Sequence, residues 1–179
     1  MTTDPMPPPA SGRADVRTVL AIDPGSERSG WVVLNPATER LRAFGKTPNV
    51  ELLAMVRDLS ADVGAVVIEW MSSYGRTVGA ETFEAIFWAG RFAEAASHQV
   101  EVCRLKRSAV VSHLLGGPRR HGDPTADAML WQVLVDRYGG IGGKAAAVGL
   151  KASPGPLFGV HADARAALAV AVTWADGVR

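Results

Sequence analysis

Three carboxylates stand where oxygen-ligand chemistry could be done. Asp23 closes the apolar run Val19-Leu20-Ala21-Ile22, and Glu69 closes Ala65-Val66-Val67-Ile68. Asp163 lies near the start of a third apolar stretch, among alanines. A hard divalent cation such as Mg²⁺ prefers anionic oxygen ligands. Clustered carboxylates repel one another unless a cation neutralises them. Two such ions about 4 Å apart activate a water and stabilise the leaving oxygen of a phosphodiester. Taken singly, each acid has a plainer reading as a turn residue, a cap or a partner for a helix dipole. The joint pattern, with two acids closing apolar strands and a third on an otherwise apolar helix, favours a catalytic and metal-binding site made of Asp23, Glu69 and Asp163.

The basic residues supply the second half of such a chemistry. Arg104, Lys106 and Arg107 follow an apolar run, Arg119 and Arg120 follow in the next loop with His121, and no acid occurs from Arg104 to Gly122. A local positive patch of this kind neutralises phosphates, and its binding weakens with salt. Lys144 and Lys151 extend it. Tyr74 and Arg76, just after Glu69, are placed to contact a nucleic-acid strand, since an exposed aromatic stacks on splayed bases. The plain alternatives are a solvated surface for the cations and a loop-packed Tyr74.

These side chains need elements to hold them. Val16–Ile22, Ser29–Asn35 and Arg40–Lys46 read as an antiparallel meander, with Pro24-Gly25 and Ser29-Gly30 in the first turn region. Leu52, Leu53, Val56 and Leu59 have helical spacing, with Asn49 as the expected N-cap. Gly64–Trp70 is uniformly apolar up to its acid, as a strand covered on both faces should be. A helix over Ala80–Ser97, a strand over Gln99–Leu105 and helices over Ser108–Leu115, Ala126–Tyr138 and His161–Trp174 follow. On the helix over Ala80–Ser97 the expected apolar face is Phe83, Ile86, Phe87, Gly90 and Ala93. Phe83, Phe87, Trp88 and Phe92 belong to a core or a subunit interface, and Trp131 and Trp174 to the core. Residues 139–159 are glycine- and lysine-rich and read as a flexible surface connection. A meander followed by βαβ units makes an α/β fold, a mixed five-stranded sheet flanked by helices. This is the order of the ribonuclease H-like fold.

The 179 residues and the 47% hydrophobic share are enough for one sizeable core. Net charge is +1, so any nucleic-acid binding comes from a local patch and not from total charge. The single cysteine, Cys103, has no internal disulfide partner and reads as a buried thiol in a reducing cytoplasm. No run is long and apolar enough to span a membrane, and no signal-peptide core is seen. Met1–Asp15 is rich in Pro, Thr and Ser and reads as a disordered tail before a nuclease domain over residues 16–179.

The chain resembles the RuvC-type Holliday-junction resolvases, especially their bacteriophage branch, from Val16 to Trp174. The resemblance is carried by Ala21-Ile22-Asp23-Pro24-Gly25, Ile68-Glu69, Ser73-Tyr74-Gly75 and Val78-Gly79-Ala80-Glu81-Thr82-Phe83, leading to Phe87-Trp88-Ala89-Gly90-Arg91-Phe92. It continues through Asp127-Ala128, Pro154-Gly155-Pro156-Leu157-Phe158-Gly159 and Ala166-Ala167-Leu168-Ala169-Val170-Ala171. It implies a homodimeric, Mg²⁺- or Mn²⁺-dependent endonuclease of DNA recombination that nicks paired strands of a four-way junction, in the cytoplasm, or in the host's if the chain is phage-encoded. It also implies that Asp23, Glu69 and Asp163 are metal ligands and that Lys106 or Arg107 contacts the scissile phosphate. The cellular resolvases carry a further acid where this chain has Ala166. His161 and Asp127 are the accessory candidates. Two alternatives remain: a junction-binding protein with an incomplete metal site, and an actin- or sugar-kinase-like ATPase, for which no second phosphate-binding turn is found.

Overall fold

The computed structural model describes residues 18–72, 78–117 and 122–178. The expected N-terminal tail, Tyr74, Arg76, Arg119, Arg120 and His121 lie outside the described residues. Five strands form the main sheet: β1 (Val19–Asp23), β2 (Arg28–Asn35), β3 (Arg40–Pro48), β4 (Ala65–Trp70) and β5 (Glu101–Lys106). Their order is β3-β2-β1-β4-β5. The meander pairs are antiparallel, and the β1–β4 and β4–β5 pairs are parallel. The helices are α1 (Asn49–Leu59), α2 (Ala80–Ser97), α3 (Arg107–Leu115), α4 (Ala126–Gly139), α5 (Gly143–Val148) and α6 (Ala162–Ala175).

Period-2 alternation sorts the strand residues into two cores. Val19 and Ala21 join Val32, Leu34, Ala65, Val67 and Leu105 against α6 and its neighbours. Leu20, Ile22, Val66 and Ile68 face the other way, onto Leu52 and Val56 of α1 and Ala89 and Phe92 of α2. Both faces of β1 and β4 are covered, which is why their sequences run apolar without interruption. In α6, Ala164 and every residue from Ala167 to Thr173 are buried, as its all-round apolar sequence requires. At the ends of α4 and α6 away from their N-termini, Arg137 bridges Glu39 in the β2–β3 turn at 2.9 Å and Asp176 at 2.7 Å. His113 of α3 also meets Asp176, at 2.8 Å. This network fixes the angle between two helices whose N-termini carry site residues.

Four expectations about local structure are corrected. Asn49 is not the N-cap of α1: Pro48 is, and Asn49 is the first helical residue. Its buried amide turns back on the β1–β2 turn, donating to the carbonyls of Gly25 at 2.9 Å and Ser26 at 3.1 Å and accepting from Ser29 Oγ at 2.7 Å. Ser29 Oγ in turn accepts from Gly25 N at 3.1 Å. The turn after Asp23 is thus held by a side chain from a later element. Asn49→Ala should lower stability by roughly 2–3 kcal/mol, because buried polar groups lose their partners; chemical denaturation showing less than about 0.5 kcal/mol would contradict this role.

Residues 139–159 are not a structureless connection. They form a 3-10 turn at Gly140–Gly142, helix α5 and a two-stranded hairpin of β6 (Gly149–Leu150) and β7 (Ser153–Pro154). Ala147, Leu157 and Val160 are buried in the core on the α6 side, which orders a glycine-rich segment. On α2 the buried face is Ala85, Ala89, Phe92, Ala95 and Ala96. Phe83 and Phe87 are 61% and 57% exposed, so they are not core. Small alanines around the buried Phe92 let α2 lie close to the sheet, and Phe83 and Phe87 point outward. Cys103 is half-buried, not enclosed.

Candidate active site

Strand parity brings the first two acids together. Asp23 follows Val19 and Ala21, and Glu69 follows Ala65 and Val67, so both side chains point to the face covered by α6. The parallel register pairs Val19 with Ala65 and Ile22 with Ile68, so Asp23 and Glu69 are adjacent one step further on. Their carboxyl groups are in hydrogen-bonding contact. Glu69 is 6% exposed. Burial, and then the Glu69 charge, push the Asp23 pKa up to about 8. Burial also raises that of Glu69, against the lowering effect of Arg107. Two like charges at one buried place do not both ionise without compensation.

Arg107 supplies part of that compensation. Leu105 lies opposite Glu69 in the β4–β5 register, and Arg107, two residues on at the start of α3, falls on the same face. Its Nη1 lies 3.4 Å and 3.3 Å from the two Glu69 oxygens. Its Nη2 is paired with Asp127, in the first turn of α4. Asp127 thus joins the site through Arg107. Arg104 does not enter it: its guanidinium stacks on Trp70, 4.9 Å from the ring centre. Lys106 is exposed at the end of β5. His161 is exposed just before α6 and does not line the cleft described next.

Asp163 is delivered by α6 over a gap in β2. A Cβ built on Gly30 would overlap the main-chain carbonyl of Asp163. Only a glycine lets the helix sit down there. Gly30 pairs with Asp23 on one side and with Lys46 of β3 on the other, so the three form one row across the sheet. Lys46 reaches along this row and binds the Asp163 carboxylate at 3.0 Å. Asp23, Glu69, Arg107, Asp127, Asp163 and Ala166 all line one cleft of about 790 Å³. Trp131, expected in the core, is also a wall of this cleft, with the Arg165 guanidinium 3.9 Å above its ring centre.

The donor set suits a hard divalent cation: oxygen ligands only, with a buried pair whose mutual repulsion a cation would relieve. The pair is assembled, and the third acid is not yet with it. Among the described residues no three His, Cys, Asp or Glu side chains are gathered as a metal cage. Asp163 faces the same cleft, and its charge raises the Asp23 pKa, but its carboxylate is turned to Lys46.

The acids and Arg107 were foreseeable from the sequence; Lys46, Gly30, Asn49 and Arg165 were missed as site residues. For Gly30 and Lys46 a signal existed: in a tightly turned meander, residues seven after Asp23 and sixteen after Gly30 share a row with it. The choice of partner for Lys46 has no local signal, because Asp163 is more than a hundred residues away.

No protein-family model matches the chain, and no curated protein matches it. Among solved structures, Thermus thermophilus RuvC in complex with a Holliday junction substrate is similar with a TM-score of 0.56 and 21% identity, over 88% of this chain and 91% of that one. A second Thermus thermophilus RuvC structure gives 0.53 and 22%, over 87% and 92%. The chain therefore has the ribonuclease H-like fold of RuvC, a mixed five-stranded sheet with helices on both faces.

Proposed function

We propose that this chain is a divalent-metal-dependent endonuclease that resolves four-way or related branched DNA by phosphodiester hydrolysis. The observation that carries the reading is the buried Asp23–Glu69 pair at the ends of adjacent parallel strands, opening on a cleft. Support comes from the fold, shared with a RuvC that was solved with a Holliday junction substrate.

In this reading Asp23, Glu69 and Asp163 hold Mg²⁺, or Mn²⁺ in its place. Such an ion, when bound, supplies Lewis-acid stabilisation of the phosphoryl oxygens and lowers the pKa of a water nucleophile. Three protein ligands suffice, because Mg²⁺ commonly keeps several waters or takes phosphate oxygens. Ala166 on the cleft wall leaves room for them. Arg107, held between Glu69 and Asp127, keeps a permanent positive charge beside the acids, where it favours a DNA phosphate. Arg165, stacked on Trp131, adds a second cation to the wall.

The test is a panel of four-way junctions, forks, flaps and linear duplexes with Mg²⁺ or Mn²⁺. Cleavage of branched substrates, lost in chelator, is the expected result; failure to cut any of them would end the enzymatic reading. A non-catalytic junction binder is the second reading, favoured by Ala166 and by the Lys46–Asp163 pair. Tight junction binding without cleavage in either ion would select it.

A homodimer belongs to the same proposal. The outward stripe of Phe83, Ile86 and Phe87 on α2 offers apolar area to a second copy, with Arg91 lying over Phe87 at 5.6 Å and Trp88 at 4.6 Å. Phe87→Glu should convert a dimer to a monomer in analytical ultracentrifugation, by at least a tenfold rise in the dissociation constant. An unchanged dimer would place the interface elsewhere.

A further inference from the structure

Among the described cations expected to meet DNA, Lys106 is exposed while two others are engaged. Arg104 lies on Trp70, and Arg107 is held by two carboxylates. Further positive charge lies beside the cleft, at the opposite edge of the sheet, where Lys46 meets the cleft residue Asp163. Arg28 at the start of β2 and Lys46 on β3 fall on the same face as Gly30, the α6 side. Arg28 Nη2 donates to the Lys46 carbonyl at 2.8 Å, so the two residues are fastened together. Arg28 is exposed and makes no ion pair among the described residues. Among the described residues the Lys46 ammonium has one ion-pair partner, Asp163, in a half-exposed pair that water and other anions can reach.

We infer that Arg28 and Lys46 form a backbone-phosphate site for one DNA strand at the β3 edge of the cleft, across the acids from Arg107. The inference rests on the proposed function and adds a surface to it. Strands lie about 4.8 Å apart, so Lys46, two strands from Asp23, is rooted about 10 Å from it. That distance assigns the pair to a phosphate beside the scissile one. A strand crossing the ends of β3, β2, β1, β4 and β5 thus meets cations, then the acids, then Arg107. The Lys46–Asp163 contact couples the two roles. While Asp163 holds Lys46, the lysine's charge is spent on the carboxylate; when Asp163 turns to a cation with Asp23, the ammonium is released to a phosphate. Lys46 is in this sense a DNA contact that also positions Asp163.

The experiment measures binding of a labelled four-way junction by fluorescence anisotropy in chelator over a series of salt concentrations. Each lost phosphate contact should weaken binding roughly 5–10-fold near 0.1 M salt and flatten the log–log salt slope by about 0.9. That is the expected result for Arg28→Gln; in chelator, where Asp163 still holds the lysine, Lys46→Met and Lys46→Arg should leave the slope near wild type. Asp163→Asn, which frees the lysine, should steepen the slope when Lys46 is present and leave it unchanged in a Lys46→Met background. Melting temperatures check that the variants are folded. A wild-type slope in the folded Arg28→Gln/Lys46→Met double variant overturns the inference and leaves the nuclease reading standing. Wild-type protein that binds neither junction nor duplex overturns both.

Discussion

Asp23→Asn should abolish junction cleavage, leave junction binding within a few-fold of wild type, and make the chelated protein more stable. Loss of at least about 1,000-fold in rate is expected. A catalytic cation is worth several kcal/mol to the transition state, and each 1.4 kcal/mol is a factor of about ten. The rise in stability follows from the site's own electrostatics. Asp23 has an ordinary value of 3.8, and burial together with the Glu69 charge raises it to about 8 in the folded chain. Between those values the folded protein keeps a proton that the unfolded chain has lost. Stability therefore falls as pH rises from about 4 to about 8, the reverse of a salt-bridged aspartate. The asparagine removes this cost, by at least about 1.4 kcal/mol at neutral pH, the free energy of a tenfold change in proton affinity. Melting curves in chelator at pH 5 and pH 8 measure it: the wild type should lose stability across that interval, and the variant should lose less. Adding Mg²⁺ should restore the wild type at pH 8 and not the variant. Intact cleavage by Asp23→Asn would sink the metal role. An unchanged pH dependence would sink the account of the carboxyl pair.

Gly30→Ala is the second large effect, and its cause is steric alone. The Gly30 backbone is not in the left-handed region, so an alanine has no conformational objection to the position. The obstacle is the Asp163 carbonyl, which occupies the space a Cβ needs. Main chain cannot rotate away as a side chain can. The N-terminus of α6 must lift, and with it Asp163. Overpacking of this kind costs about 1–3 kcal/mol. Displacing a catalytic group by about 1 Å costs on the order of 100-fold in rate. The expected result is a lower denaturation midpoint together with a lower cleavage rate at saturating junction. An alanine variant with wild-type rate would mean that α6 does not have to sit this close for Asp163 to act.

The two variants separate what is local from what is not. Asp23 and Glu69 were legible because each ends an uninterrupted apolar run at a strand end, and parity alone then puts both on one face. Likewise α6 reads as buried from its composition, and the helix and strand order reads as a mixed sheet. The aromatics of α2 were legible as a helical stripe, but periodicity does not say which stripe faces the sheet. The structure chose the alanine face, because a close helix–sheet approach needs small residues. Residues 139–159 looked loose because glycines are frequent in them, but the burial of Ala147 and Leu157 and backbone bonds such as Leu157 N to the Ala147 carbonyl order them. Asn49 read as a cap because it precedes an apolar periodic run. Its amide instead found the carbonyls of Gly25 and Ser26, which lie on another element.

Sequence alone thus determined the sheet, its covering helices and the two acids at its centre, since apolar periodicity and strand parity act over a few residues. Tertiary structure decided the partners: Arg107 between Glu69 and Asp127, Lys46 on Asp163, and Asp163 over Gly30. Those choices join residues far apart in the chain, the nearest of them, Arg107 and Asp127, by 20 positions. Charges pair with what the fold brings within a few ångströms, and no local pattern records that distance.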